Sequence, residues 1–273
     1  MGALHAGHLA LVERARRENA SVVASIFVNP LQFGPNEDFE RYPRAFARDT
    51  ESLEACGVDL LYAPTVERMY LPDFSTSVAI GPVGDTFEGS RRPGHFTGVA
   101  TVVAKLLHAI EPTSLYLGQK DAQQTAVLRA MIRDLDMATN VVVAATVREA
   151  DGLALSSRNV YLTPVERAAA PSIYRALCAI ARAIDGGARD AAAVLAAGGA
   201  LLEAPLVWDY LAIVDPVTFE ACDRVVAPAL ALGVARAGAT RLLDNVPIAG
   251  PGGVLPIVTP ERGAEPIADR AAR

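Results

Sequence analysis

From residue 9 to residue 145 the chain alternates short apolar runs with longer amphipathic ones, and that order leaves few folds open to it. Residues 9–19 are amphipathic, with Glu13, Arg14, Arg16 and Arg17 as polar positions, and predict a helix. Residues 21–28 are apolar almost throughout, as in a strand buried on both faces, and Asn29-Pro30 ends the run. Residues 49–56 read as a helix stopped by Gly57, residues 59–62 as a short strand, and residues 97–110 as a strongly apolar helix. A strand over 114–117, a helix over 121–136 and a strand over 140–145 complete the series. Such alternation predicts a parallel sheet with helices on both faces, in which ligands bind beyond the carboxyl ends of the strands. The polar, turn-rich stretch 33–44 reads as a surface loop.

The pattern changes after Val147. Thr163-Pro164-Val165-Glu166 joins an N-cap threonine to proline at the first helical position and glutamate at the third, a helix start. Ala-rich helical stretches follow to about residue 202, with breaks expected at Gly186-Gly187 and Gly198-Gly199. Strands are expected over 208–214, 229–235 and 240–243. From Pro247 onward proline and glycine recur, which predicts a disordered tail. The expected fold is therefore α/β. It comprises a Rossmann-like nucleotide-binding domain over 1–147, a smaller α+β domain over 148–248 and a tail over 249–273.

Several function classes fall away. Polar residues interrupt every apolar run short of a membrane span, and no secretory leader is legible, so a soluble protein is expected. Cys56, Cys178 and Cys222 are scattered and odd in number, and read as reduced thiols in a cytoplasm. With 25 basic against 31 acidic residues the net charge is −6, which disfavours a general nucleic-acid binder. There is no Ser-His-Asp order, cysteine nucleophile, Walker A loop or Gly-x-Gly-x-x-Gly.

Four clusters carry chemistry. His5-Ala6-Gly7-His8 stands where the first helix begins, and free N–H groups with the positive end of a helix dipole suit a phosphate there. Metal binding by the pair lacks an evident third ligand. Gly118-Gln119-Lys120-Asp121 lies between a strand and a helix, with Lys120 as a compact cation and Asp121 as the helix cap. Of the next two glutamines, Gln123 and Gln124, one should face the cleft and the other solvent. Leu155-Ser156-Ser157-Arg158-Asn159 offers hydroxyls, backbone N–H groups and a guanidinium to a polyphosphate. Gln32 closes the set at the end of a buried strand.

At these residues the chain resembles the pantoate–β-alanine ligase (pantothenate synthetase) family. The matching blocks are 1–8, 27–33, 118–124, 148–159 and 240–245, and the resemblance runs to about residue 248. The His-x-Gly-His turn by itself points only to the wider nucleotidyltransferase superfamily. The resemblance implies that pantoate attacks the α-phosphorus of ATP to give pantoyl adenylate and pyrophosphate. β-Alanine then displaces AMP. It implies that Met1, Gly2, Ala3, Leu4, His5, Ala6, Gly7 and His8 line ATP, with His8 as proton donor. Gly118, Gln119, Lys120 and Asp121 would hold ATP, as would Leu155, Ser156, Ser157 and Arg158, and the Val147 backbone would meet adenine. Gln32 would hold pantoate and β-alanine, and Gln124 pantoate. His5, His8, Lys120 and Arg158 form the implied catalytic set, with Mg²⁺ arriving on the ATP phosphates, no metal site of the protein's own and no bound organic cofactor. Charge on the departing pyrophosphate would be stabilised by His8, Lys120, Arg158 and that ion. The loop 33–44, with Gly34-Pro35, is the implied lid. A cytoplasmic homodimer without nucleic-acid or membrane partners is the implied setting.

The sequence departs from the family pattern in places. Leu155 stands where many relatives have methionine, a mild, volume-conserving change. Gln119 replaces a frequent glutamate. The family carries a helix, a strand and a Pro-Thr pair ahead of the residue matching Met1, so the first strand of the sheet is expected to be missing. Each buried group left without a partner would then cost about 1–3 kcal/mol. The other readings are an inactive, truncated nucleotide-binding remnant and a superfamily adenylyltransferase for a different acid.

Overall fold

The computed structural model describes residues 2–35, 37, 39–226 and 228–249. Met1 and the tail from residue 250 lie outside the described residues, and with them the expectations placed there.

The first half is built from strand–helix–strand units. Helix α1 (Ala6–Glu18) leads to strand β1 (Val23–Ser25), helix α2 (Phe46–Ala55) and strand β2 (Leu60–Tyr62). Short helices α3 (Val66–Met69) and α4 (Glu88–Arg91) precede α5 (His95–Ile110). Strand β3 (Ser114–Gly118), helix α6 (Ala122–Asp134) and strand β4 (Asn140–Ala144) follow. β1 pairs with β2 and β3 with β4, both in parallel. Val12 and Ala15 of α1 and Leu53 of α2 close over Ala24, while α5 and α6 pack against Leu115 and Leu117.

The expected single sheet is divided. The two parallel pairs are separate, and residues of both β1 and β3 line one elongated cavity. β1 is accordingly shorter than the apolar run 21–28 that predicted it, and Val23 is 38% exposed rather than buried. A strand hydrogen-bonded along one edge only has less to hold its ends in register.

The second half carries helices α7 (Pro164–Ala169), α8 (Ser172–Asp185) and α9 (Ala191–Gly199). It ends in an antiparallel sheet of β5 (Val207–Val214), β6 (Ala229–Ala237) and β7 (Thr240–Ile248), in that order. Thr163 and Glu166 form the expected reciprocal capping box. α9 ends at the foreseen Gly198-Gly199 break, with Gly198 buried in its last turn. A Cβ there would stand 2.3 Å from Ile180 Cγ1, so glycine is what lets α9 approach α8. The tail expected from Pro247 begins too early: Pro247 pairs with Leu230 inside β7. β7 is an edge strand, where the missing proline N–H costs no ladder bond.

The antiparallel sheet is covered on both faces. Ala231, Ala235, Leu242 and Val246 pack under α8, whereas Ala212, Val214, Leu230 and Leu232 meet Phe96 and Val127 of the first half. Alternate residues of β7 therefore face opposite neighbours.

Candidate active site

The cavity of about 730 Å³ runs between β1 and β3 and reaches the carboxyl end of β3 and the start of α1. His5 is the N-cap of α1, and its Nδ1 accepts the Gly7 N–H at 3.2 Å. His8 Nδ1 reaches back to the His5 N–H at 3.4 Å, so two histidines form the capping box. Both rings thus use Nδ1 as acceptor, which leaves Nε2–H as the donor on each. Gly7 leaves room for the His5 ring in this position, since a Cβ would lie 2.9 Å from His5 Cε1. Burial, then Lys120, pushes His5 down to about 4; burial, then His5, pushes His8 down to about 3. Both are neutral at pH 7 in the free site, so His8 is there an N–H donor.

The segment before the turn is anchored by a residue that sequence reasoning missed. Asp49 is 2% exposed, and its carboxylate accepts the backbone N–H groups of Ala3 and Leu4, each at 2.8 Å. Gly2, Ala3, Leu4 and Ala6 do not line the cavity, whereas His5, Gly7 and His8 do.

Gln32 ends a 3₁₀ turn (Pro30–Gln32) capped by Asn29, and Asn29 Nδ2 donates to its side-chain oxygen at 3.1 Å. Its carbonyl accepts from His95 Nδ1 at 2.8 Å, while Arg92 Nη1 donates to His95 Nε2 at 3.0 Å. Arg92 also grips Glu37 of the 33–44 loop through two hydrogen bonds of 2.7 and 2.6 Å. Burial works to raise the Glu37 carboxyl, but the Arg92 hydrogen bond and charge outweigh it and hold it low. His95 is lowered by burial and by Arg92. Arg92 and His95 line the cavity and were missed. The string Arg91-Arg92-Pro93-Gly94-His95, basic residues and a glycine before a helix, repeats the logic that singled out the first histidine turn.

On the opposite wall, Gly118, Lys120 and Asp121 line the cavity; Gln119 does not, and turns to Asn245. Asp121 occupies the N-cap position of α6 but makes no side-chain cap bond, contrary to expectation. Gln124 faces the cavity as foreseen. Gln123 does not face solvent: it is 5% exposed, donates to the carbonyls of Val83 and Thr86, and accepts the Glu88 N–H. The 80–88 segment folds over that face of α6, which no local pattern in the sequence announces. Val147, Leu155, Ser156, Ser157 and Arg158 complete the lining, and Leu155 N–H donates to the Val147 carbonyl at 3.0 Å. Ser156 caps the 3₁₀ turn that carries Arg158.

Residues 1–247 match the family described as pantoate-beta-alanine ligase. The chain belongs to this family. It is 52% identical to the pantothenate synthetase of Chloroflexus aurantiacus over 92% of this chain and 91% of that one. It is 53% identical to the enzyme of Thermus thermophilus, over 91% of each. A crystal structure of the Thermus thermophilus enzyme superposes with a TM-score of 0.88 over 91% of both chains. A Francisella tularensis ligase, solved in complex with β,γ-ATP and β-alanine, is 33% identical with a TM-score of 0.72, covering 90% of this chain and 86% of that one. As a member of the family the chain is an ATP-dependent ligase that forms a carbon–nitrogen bond, and likeness over nine-tenths of its length favours pantoate over another acid.

Proposed function

We propose that the 730 Å³ cavity binds ATP with its magnesium ion, pantoate and β-alanine, and joins the last two in two steps. The observation that carries this reading is convergence: His5, His8, Lys120, Arg158, Gln32 and Gln124 all line one cavity. In the first step a pantoate carboxylate oxygen bonds to the α-phosphorus of ATP. The bond from that phosphorus to the bridging oxygen breaks, and pyrophosphate leaves with the electron pair. Lys120 and Arg158 supply fixed positive charge where negative charge grows, and the Nε2–H groups of His5 and His8 donate hydrogen bonds. Preorganised donors cost no reorganisation at the moment of reaction.

The neutral amides of Gln32 and Gln124 orient pantoate through hydrogen bonds, without an ion pair that would blunt its carboxylate. In the second step the β-alanine amine attacks the acyl carbon, the bond to the AMP oxygen breaks, and the amine proton is lost. Val147 and residues 155–158 are proposed to meet the nucleotide. The 33–44 loop, tied down through Glu37 and Arg92, is proposed to keep water from the acyl adenylate.

The setting proposed with this reading is a cytoplasmic homodimer, for which light scattering of the purified protein is the test. Among the described residues no helix is long and apolar enough to cross a membrane. The function is tested by mixing the protein with ATP and pantoate: pyrophosphate release must require pantoate, and AMP release must require β-alanine as well.

A further inference from the structure

The block 240–245 matches the family pattern, yet its residues do not line the cavity of the reaction. Asn245 is 3% exposed on β7 of the antiparallel sheet. Its Nδ2 donates to two backbone carbonyls at 2.9 Å, those of Gln119 and Lys120. Its Oδ1 accepts Gln119 Nε2 at 3.0 Å. The orientation of the amide is unambiguous, because two carbonyls can only accept. A buried side chain needed for packing alone would be apolar, since an amide here must be fully partnered to be tolerated. The partners are the carbonyls of the turn that brings Lys120 to the cavity. Asp244, one residue earlier and on the other face of β7, holds Arg148 by two bonds of 2.6 and 2.8 Å. Arg148 follows directly on Val147 of the opposite rim.

We infer that Asn245 is a positioning residue for adenylate formation: it fixes the Gln119–Lys120 backbone so that Lys120 meets the ATP phosphates. This rests on the proposed role of Lys120. Carbonyls turned toward Asn245 are also turned away from the anion, and a cation on a turn held in this way loses little freedom when ATP binds. Misplacing such a group by about 1 Å can cost on the order of 100-fold.

The test uses the full chain and Asn245→Leu, which keeps bulk and removes both donors. ATP affinity is measured by calorimetry, and each half-reaction is measured separately, with pantoyl adenylate supplied for the second. The expected result is ATP binding weakened roughly 10- to 100-fold and adenylation slowed, with β-alanine attack on supplied adenylate unchanged. In a Lys120→Ala background the same substitution adds no further loss. A folded Asn245→Leu protein with wild-type ATP affinity overturns the inference, as do losses that multiply in the double variant or fall equally on both half-reactions. If Asn245→Leu does not melt cooperatively, Gln119→Ala is read instead: it removes one of the three bonds from a side chain outside the cavity, and unchanged ATP affinity there overturns the inference. A wild type that binds ATP but forms no pantoyl adenylate refutes the proposed function, and Asn245 is then still judged on ATP affinity.

Discussion

The rings of His5 and His8 lie 4.0 Å apart, centroid to centroid, and each uses Nδ1 to accept a backbone N–H of its own helix start. Burial disfavours charge on both rings first of all; Lys120 adds to it at His5, and the neighbouring His5 ring adds to it at His8. The pair is a fixed set of N–H donors until an anion arrives.

His8→Ala removes one such donor. Loss of a single preorganised donor to developing charge costs about 100- to 1000-fold in kcat. Single-turnover adenylation, followed by rapid quench, should fall by that much, while pantoate affinity changes little. An unchanged adenylation rate refutes the role of His8.

The same two histidines make stability depend on pH. Unfolded, each takes up a proton near 6.5; folded, His5 does so only near 4 and His8 near 3. A folded-state pKa below the unfolded one means the unfolded chain binds more protons between these limits. Stability from this source is therefore full above about 6.5 and is lost as pH falls toward 4 and then 3. Urea midpoints measured from pH 8 to pH 5 should fall less steeply in a His5→Gln, His8→Gln protein. Equal slopes in the two proteins contradict the assignment.

Gln124 lines the cavity on the first turn of α6, one residue from the buried Gln123. Gln124→Ala should raise the KM for pantoate about tenfold or more, the cost of a hydrogen bond to a charged group, and leave the KM for ATP nearly unchanged. Steady-state kinetics with each substrate varied in turn checks this. Equal loss for both substrates places Gln124 elsewhere in the reaction.

Glu37 of the 33–44 loop pairs with Arg92, which lines the cavity, and the two side chains are 25% and 19% exposed. Glu37→Gln weakens the latch without removing bulk. Global stability should change little, because a partly solvated pair contributes at most about 1 kcal/mol. Release of AMP from ATP and pantoate in the absence of β-alanine should rise severalfold as water reaches the adenylate. No rise in that leak means the loop does not act as a lid.

Much of this architecture is legible in the sequence, and the exceptions share a cause. α1 announces itself because its buried residues Leu9, Val12 and Ala15 recur at helical spacing, and α5, β3 and β4 because each is a near-continuous apolar run of the right length. Thr163 and Glu166 are legible because a capping box is written within four residues. Gln123 and Pro247 misled because each is decided by a distant neighbour: the 80–88 segment and the edge position of β7. In the site, His5, His8, Lys120, Gln124 and Arg158 stand on helix starts and strand ends, where motif and geometry coincide. Asp49, Arg92, His95 and Asn245 act by holding backbone or other side chains. For Asp49 and Asn245 such roles leave no spacing to read, only a polar residue in a place that burial later explains, whereas Arg92 and His95 stand in a basic, glycine-bearing string ahead of a helix.

The most direct measurement is a single turnover of the protein with ATP and pantoate and without β-alanine. The expected result is a burst of pyrophosphate equal to the number of sites, with pantoyl adenylate retained and AMP appearing together with pantothenate only when β-alanine is added. Pyrophosphate release without pantoate, or AMP release as fast without β-alanine as with it, would contradict adenylate formation in this cavity.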